Sequence, residues 1–468
     1  MSRRHWGILF VLMIAEIISA FESSMILAGL SAWQRITGDP VMVGWIVSSY
    51  MLVSSAGSAL FGRLGDIFGR KRVLLAVVLL AAIGSTISAL APNFTIVVFG
   101  RAIQGAAGAV MPLCYGLVRE HLPAERMPFG VSMIVSTAAS ASAVGLLIGG
   151  YLTDQYGPQS IFMASAVSAF VIAAVIAVFL PKSPTTAFPA NFDWLGGVLF
   201  APGVGALLYA ISILLQGWFA LVPLSVSIVL LVWWWRHERS HPAPLIDVKL
   251  LANRNCLLAN LGMLMGAVGV MQLTQVVSLL TQQPVATGTG LGVTATFLGA
   301  VKLPALASGV AGSLLAGWLI PRYGQRVPIV AGALGIIFPT LVIAFAQTSL
   351  AVILTTVYVT SMGINLFYAA APTVVISESP ADRTSEAAGL MAVFRATGQA
   401  LGSQIIAVLL AISLVKLPDG RTYSAEESYT YAFLFMSVTG VGLLLTAFGL
   451  RRIPTAPATS PNLGTNGA

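Results

Sequence analysis

Charge is what this chain lacks most. Of its 468 residues only 9% are Asp, Glu, Lys or Arg, where a soluble globular domain carries about a quarter. With 57% hydrophobic residues and a mean hydropathy of +0.90, the chain has too much apolar surface for a water-soluble globule. Cysteine is nearly absent as well. Cys114 and Cys256 lie in or beside apolar runs with no paired spacing, which argues against a disulfide framework or a thiolate metal centre. The sequence also offers no nucleotide-binding loop, no metal cluster and no nucleophile with a base. An ATPase or a hydrolase is therefore not expected.

What is present is a succession of apolar runs. A bilayer core takes roughly 20 apolar residues per helix, and fourteen such runs occur, near 7–31, 43–62, 73–91, 96–118, 127–150, 158–180, 194–215, 218–235, 255–280, 291–319, 327–347, 350–374, 386–415 and 430–450. The expected fold is an all-α membrane protein. The first run follows only Ser2-Arg3-Arg4-His5 without a small-residue cleavage site, so it is expected to be a retained span. Lys and Arg collect on cytoplasmic loops. Alternating sides from a cytoplasmic N-terminus leaves three of the 24 basic residues outside (Arg35, Lys416, Arg421) and three within runs (Arg101, Lys302, Arg395). Both termini are thus expected on the cytoplasmic face. The net charge of +8 follows from that asymmetry, so nucleic-acid binding is not inferred from it.

Between the second and third runs lies a basic connector, Gly62-Arg63-Leu64-Gly65-Asp66-Ile67-Phe68-Gly69-Arg70-Lys71-Arg72, short enough to force an antiparallel hairpin. At this point the chain resembles the major facilitator superfamily, whose loop between spans 2 and 3 follows G-x-L-x-D-x-x-G-R-K. Gly62, Leu64, Asp66, Gly69, Arg70 and Lys71 fill that pattern. The chain also repeats itself. Residues Gly317 to Arg326 keep the Gly, Leu and Gly spacing of the first connector at an offset of 255 (317 less 62), and Pro380-Ala381-Asp382-Arg383 echoes Pro123-Ala124-Glu125-Arg126 at 257 (380 less 123). Two loops at nearly one offset imply two homologous six-helix halves. They are expected at 1–181 and 250–452, with an inserted helix pair and cytoplasmic linker at 182–249 and a cytoplasmic tail at 453–468.

The inserted pair, followed by the H-x-x-P-L-[IL]-D stretch that begins at His241, narrows the likeness to the fourteen-spanner drug:proton antiporters. Trp45 with Tyr50, and Arg101-x-x-Gln104-Gly105-x-x-Gly108, add to it. The resemblance implies a major facilitator fold and export of small amphipathic compounds, driven by inward-moving protons with no cofactor beyond the proton gradient. Its partners would be a small-molecule substrate, protons and the lipid bilayer, without nucleic acid, and it would act as a monomer. Compact loops point to a bacterial plasma membrane.

The buried charges carry the functional reading. Arg101, Gln104, Gly105 and Gly108 share one helix face, and an arginine is costly in lipid, so that face looks into the bundle or a wet cavity. Either Arg101 is a structural group bonded to carbonyls, or it responds to protonation of a cavity carboxylate. Only Glu16 and Glu22 lie well inside apolar runs. Six residues apart is about 240° around a helix, so the two face different directions. Glu22 is preferred as the proton-coupling acid because antiporters of the branch it resembles commonly carry a membrane Asp after a hydrophobic residue near this point of span 1, where Phe21-Glu22 lies. It could equally just bond a polar neighbour, while Glu16 faces the cytoplasmic vestibule. In the second half Arg395, Gln399 and Gly402 share a face, and Lys302 sits about a dozen residues into its run; either they line the cavity, or Lys302 snorkels towards an interface. Tyr50, Gln272, Gln275, Asn365 and Tyr368 are further cavity candidates, or interhelical bonding groups.

Asp66 with Arg70, Lys71 or Arg126 would latch the cytoplasmic side, or the bases would only anchor topology and touch anionic lipid. In span 5 the branch usually has G-P-x-x-G-G. Here Gly145, Gly149 and Gly150 remain for helix packing, but Leu146 replaces the proline. Around Glu22 the usual Thr and Asn positions hold Ser23 and Ser24. Two other readings stay open: a dedicated exporter or importer of one metabolite such as a siderophore, peptide or sugar, and a membrane sensor without solute flux.

Overall fold

Backbone amides that meet hydrocarbon have no water to bond, so a spanning chain must satisfy them within helices. The computed structural model describes residues 2–451 apart from 124–125, 184–192, 243, 245–247, 379–383 and 419. The repeat partners Glu125, Asp382 and Arg383, the linker's Asp247 and the tail at 453–468 lie outside these. The first half comprises α1 (Arg3–Thr37), α2 (Pro40–Phe68), α3 (Arg70–Ala89), α4 (Phe94–Gln104) with α5 (Val110–His121), α6 (Met127–Tyr156) and α7 (Gln159–Phe179). The inserted hairpin is α8 (Trp194–Ser212) and α9 (Leu221–Ser240). The second half comprises α10 (Arg254–Val268) with α11 (Leu273–Gln282), then α12 (Ala295–Tyr323), α13 (Arg326–Phe345), α14 (Leu350–Glu378), α15 (Thr384–Leu410) and α16 (Glu426–Gly449). Thirteen stretches among the described residues are long and apolar enough to cross a membrane. The fourteenth span is α8, 19 residues long.

Three local departures from the sequence reading have physical causes. The connector expected over Gly62 to Arg72 shrinks to one residue. Nothing in Gly62 to Phe68 stops a helix, so α2 continues to Phe68, and Gly69 turns the chain at φ 90°, a conformation that favours glycine. Gly324, at the same offset of 255, does this between α12 and α13 with φ 79°. The run expected over 386–415 ends as helix at Leu410, and Leu414–Lys416 pairs with Thr422–Ser424 as a small antiparallel hairpin, the one non-helical element among the described residues. The fourth span is broken by a 3-10 turn at Gly105–Ala109, so Gly105 and Gly108 do not continue a regular α-helical face below Gln104.

Helix starts follow from side chains that bond the free amides of the first turn. Asp39 accepts from Val41 at 2.8 Å with Pro40 at the first helical position, Asn93 from Ile96 at 3.1 Å, and Thr294 from Phe297 at 3.1 Å. Small residues set the helix contacts. A Cβ on Gly145 would meet Ser24 and Phe21, and one on Gly149 the backbone of Met25, so α6 lies directly on α1. Gly150 abuts the carbonyl of Ala295, and Gly299 abuts Leu147, which joins α6 to α12 across the halves. Gly44 of α2 meets Ala407 and Ser403 of α15 in the same way.

At the end away from the chain termini the halves share a core: Ile26, Leu30, Trp33 and Val47 pack with Leu273, Leu280, Ile406 and Phe433. Polar bonds join them there. Ser278 donates to the carbonyl of Leu27 at 2.6 Å, Gln282 to Ala28 at 3.0 Å, Thr422 to Gly38 at 2.8 Å, and Ser48 to the Gln404 amide oxygen at 3.1 Å. Asp154, at the end of α6, accepts from the amides of Ala295 and Thr296 at 3.2 and 2.8 Å and from the Thr296 hydroxyl at 2.6 Å, so a carboxylate of one half caps a helix of the other. Toward the terminal end α6 instead exposes Ser132, Ser136 and Ser140. An exposed polar stripe within a span marks a wet space rather than lipid. The protein is thus closed at one end and parted at the other.

Removing the Asp154 carboxylate removes three bonds across that closure. Asp154→Ala is expected to weaken the closed end by about 2 kcal/mol. Spin labels at Leu90 and Phe345, exposed on opposite halves at that end, should show a longer interlabel distance in the variant.

Candidate functional site

Four helices of the first half converge on one buried charge pair. Glu22 on α1 and Arg101 on α4 are 2% and 1% exposed. A guanidinium donates only, and here its Nε and Nη1 both find acceptors. Arg101 Nε bonds the carbonyl of Ile46 in α2 at 2.9 Å. Its Nη1 bonds the carbonyl of Glu22 at 3.0 Å and the Gln104 side-chain oxygen at 2.9 Å, and lies 3.6 Å from the Glu22 carboxylate. The Tyr50 ring stands under the guanidinium, 4.5 Å from Cζ. Ser85 of α3 completes the network: its hydroxyl bonds Glu22 Oε1 at 2.8 Å and accepts from the Gln104 amide at 2.6 Å, with the Ala81 carbonyl also 2.8 Å away. Carbonyl bonding and carboxylate pairing, alternatives in the sequence, both occur at Arg101.

Ser85 escaped the sequence reading because a serine in an apolar run commonly bonds its own helix, as it does here toward Ala81. Asp154 escaped as a gate because its partner amides belong to the other half.

Glu16 is equally buried, at 2%, yet it meets different neighbours, as the angle around α1 requires. Its charge acts on Cys114 and Tyr115 of α5 and on Arg395 of α15. Its Oε2 is buried without a hydrogen-bond partner. Arg395 is exposed on α15, and its charge acts on Glu16 and Tyr115 of the first half and on Tyr368 of the second. Lys302 is half-buried on the α12 face that carries Ala295 and Gly299, and it has no ion-pair partner among the described residues.

Gln272 and Gln275 attach the broken ninth span to α15. The break is at Gly269 with a 3-10 turn at Val270–Gln272. Gln272 donates to the carbonyls of Ala267 at 2.9 Å and Gln399 at 3.2 Å, and Gln275 accepts from Ser403 at 2.9 Å, which replaces backbone bonds lost at the break. Gln399 stands one turn from Arg395. Asn365 bonds the Ser361 carbonyl at 2.8 Å beside Gly309, and the Tyr368 hydroxyl meets the Met271 sulfur at 2.8 Å.

At the terminal end Asp66 pairs with Arg70, at 2.6 Å to Nη2 and 3.0 Å to Nε. Arg70 also donates to the Gly116 carbonyl at 3.0 Å and lies 3.7 Å from Glu120, so this cluster joins α2, α3 and α5 within one half. Lys71 bonds the carbonyls of Ala177, at 2.8 Å, and Leu180, placing a cation at the end of α7. Arg126 is exposed at the start of α6, and a Cβ on Gly62 would meet open space.

No metal centre is read from the sequence, but folding brings ligating atoms of Asp193, His237 and His241 within 4.8 Å of one another. Asp193 is committed to other bonds. It caps α8 through the Gly196 amide at 2.8 Å and accepts from His237 at 2.7 Å, fastening the two inserted helices together.

The Major Facilitator Superfamily profile matches residues 12–193 and 190–403. The chain belongs to this superfamily of transporters, and it is a multi-pass membrane protein. Multidrug resistance protein Stp of Mycobacterium tuberculosis is 29% identical over 377 residues, covering 78% of this chain and 68% of that one. The uridine/deoxyuridine transporter of Lactococcus lactis subsp. cremoris is 27% identical over 351 residues, covering 71% and 72%. In fold the chain is similar to the inward-open xylose transporter XylE from E. coli, with a TM-score of 0.65 at 13% identity over 97% of this chain and 98% of that one.

Lysine cannot reproduce a fork that reaches two helix carbonyls and a side-chain oxygen at once. Arg101→Lys is expected to destabilise the first half by about 3 kcal/mol, since partners would remain buried and unmatched. Thermal unfolding in detergent checks this: the variant should melt clearly below the native protein.

Proposed function

We propose that the protein is a proton-coupled antiporter. It exports small amphipathic compounds across the plasma membrane by alternating access, with both termini on the cytoplasmic side. The observation that carries this is the Glu22 carboxylate held between Ser85 and Arg101 in the interior of one half. When Glu22 is charged it accepts the Ser85 hydrogen and attracts Arg101. When it is protonated its hydroxyl donates to Ser85, and the Ser85 hydrogen turns to the Ala81 carbonyl while Gln104 keeps its place. Hydrogen bonds are satisfied in both states, so the proton changes chiefly one thing: the attraction between α1 and α4. A shift in that attraction biases which end of the transporter is open. The parted terminal end admits the compound from the cytoplasm, and similarity to a multidrug resistance protein supports export of varied amphiphiles.

Proteoliposomes with an imposed pH gradient and a fluorescent amphiphilic dye test the coupling. The native protein should move dye against the proton flow, and Glu22→Gln should reduce that flux to the level seen without a gradient. A variant as responsive to the gradient as the native protein would overturn the scheme.

Similarity to a uridine/deoxyuridine transporter supports a second reading, a carrier dedicated to one metabolite. Inhibition of dye movement by one nucleoside or sugar alone, with structurally diverse amphiphiles inert, would favour it.

A further inference from the structure

At the terminal end the two inserted helices bring two imidazoles and two carboxylates together. Of the chain's four histidines, His237 and His241 stand four residues apart at the end of α9, and their ring centroids are 5.2 Å apart. Asp193, at the start of α8, brings a carboxylate to them, with one ligating atom of each within 4.8 Å of the others. The bonds of Asp193 to Gly196 and His237 both use Oδ1. Its Oδ2 lies over Gly196 beside Oε1 of Glu238, each 2.5 Å from where a Cβ would stand. Asp193 and Glu238 are 2% and 0% exposed, so two carboxylates share one enclosed place. The Trp234 indole that donates to Glu238 at 3.2 Å brings no charge. Buried acids so placed repel one another unless a proton or a cation balances them.

We propose that Asp193, His237 and His241 bind a first-row transition-metal dication, Zn²⁺ foremost, with Glu238 as a second negative charge beside it. Two imidazoles and a carboxylate are donors that such an ion takes, whereas Mg²⁺ and Ca²⁺ select oxygen alone. Around tetrahedral zinc the ligand atoms stand about 3.3 Å apart. The His237 and Asp193 atoms, 2.7 Å apart across a hydrogen bond, therefore open slightly, and the wider separations contract. His237 gives up its Nε2 hydrogen on binding: a neutral ring regains one at Nδ1, and a charged ring releases it to water. The ring is 20% exposed, so water reaches it. Three protein ligands leave the fourth position to water. His241 is the first residue past α9, and Arg63 of α2 holds the linker further on through the Pro244 carbonyl at 2.6 Å. The ion thus ties the start of the linker to α8. Phe200, Val204 and Leu208 of that helix pack with Leu52 of α2 and with Val393 and Ala400 of α15, so the anchored element touches both halves.

Full-length protein purified without a histidine tag and stripped of metal with EDTA is titrated calorimetrically with ZnCl₂. The native chain should take up one Zn²⁺, with an affinity that excess Mg²⁺ leaves unchanged. His241→Ala removes a half-buried ring at a helix end and should weaken uptake at least about tenfold, since the loss of even an outer-shell partner has that effect. His237→Ala with His241→Ala should abolish it, while the other two histidines serve as the control: His5→Ala with His121→Ala should bind as the native chain does. Zn²⁺ should also raise the unfolding temperature of the native chain and leave that of the His237/His241 double variant where it was. If the double variant does not fold, His241→Ala decides, together with Co²⁺ in the native chain, whose visible absorption intensifies in a tetrahedral site. No saturable uptake by the native chain would mean that protons alone balance the acids, and it overturns the proposal. So does an affinity unchanged in His241→Ala, or uptake that disappears with His5 and His121 instead.

Discussion

A guanidinium inside a bilayer cannot shed its charge, so whatever surrounds Arg101 has to be built around it. Its acceptors come from α1, α2 and α4, and they reach it only because the backbones approach closely. Gly84 and Gly100 bring α3 and α4 together with no Cβ between them, which puts Ser85 in range of both Gln104 and Glu22. Gly105 and Gly108 bring the fourth span onto Tyr50 and Ser54 of α2, and the 3-10 turn at Gly105–Ala109 occupies the same stretch. Glycine placement and charge placement therefore form one device. The small residues have no catalytic or binding chemistry of their own, yet the charged network could not close without them.

The seam between the halves is built on another principle. Within the first half, aliphatic side chains of α1, α3, α5 and α7 interlock around Leu12, Leu74, Val110 and Ile176, the kind of packing that resists separation. Across the closed end, glycine contacts and single hydrogen bonds supplement the shared core. Each such bond contributes about 1 kcal/mol net, so the closure is the sum of modest terms that a bound proton or ligand is able to outweigh. The unbroken course of α6 over 30 residues, with no proline beyond its first turn, makes that helix a rigid strut. Motion at the seam must then come from α6 sliding or tilting as a unit.

Sequence made the architecture legible because membrane spans are read from composition, and a run of apolar residues has few alternatives in a bilayer. It was less informative wherever a local signal competed with a tertiary one. The basic segment after the second run looks like a loop by charge, yet no residue before Gly69 stops a helix. The residues after Leu410 look like a continuing span by hydropathy, yet they pair as a hairpin whose Thr422 then bonds Gly38. At the candidate site, Glu22 and Arg101 were visible because a charge in an apolar run demands a reason. Ser85 was not, since a serine makes no such demand, and neither were the partners of Asp154, which only the docking of one half on the other supplies.

The two buried glutamates divide the interior into unlike regions. Glu22 is enclosed by elements of one half, out of reach of a compound held between the halves, while Glu16 looks toward Arg395 of the other half. Six residues of one helix separate them, about 9 Å along its axis. If a proton resides on Glu22 and a compound between the halves, they do not compete for one carboxylate. Coupling must then pass through α1 itself, which carries both acids and also the carbonyls of Leu27 and Ala28 that bond Ser278 and Gln282 at the seam. A change in the hold of Arg101 on α1 is transmitted along a continuous helix to the contacts that keep the far end shut. Exchange in this protein is on that account a matter of helix position rather than of direct displacement of one ligand by another.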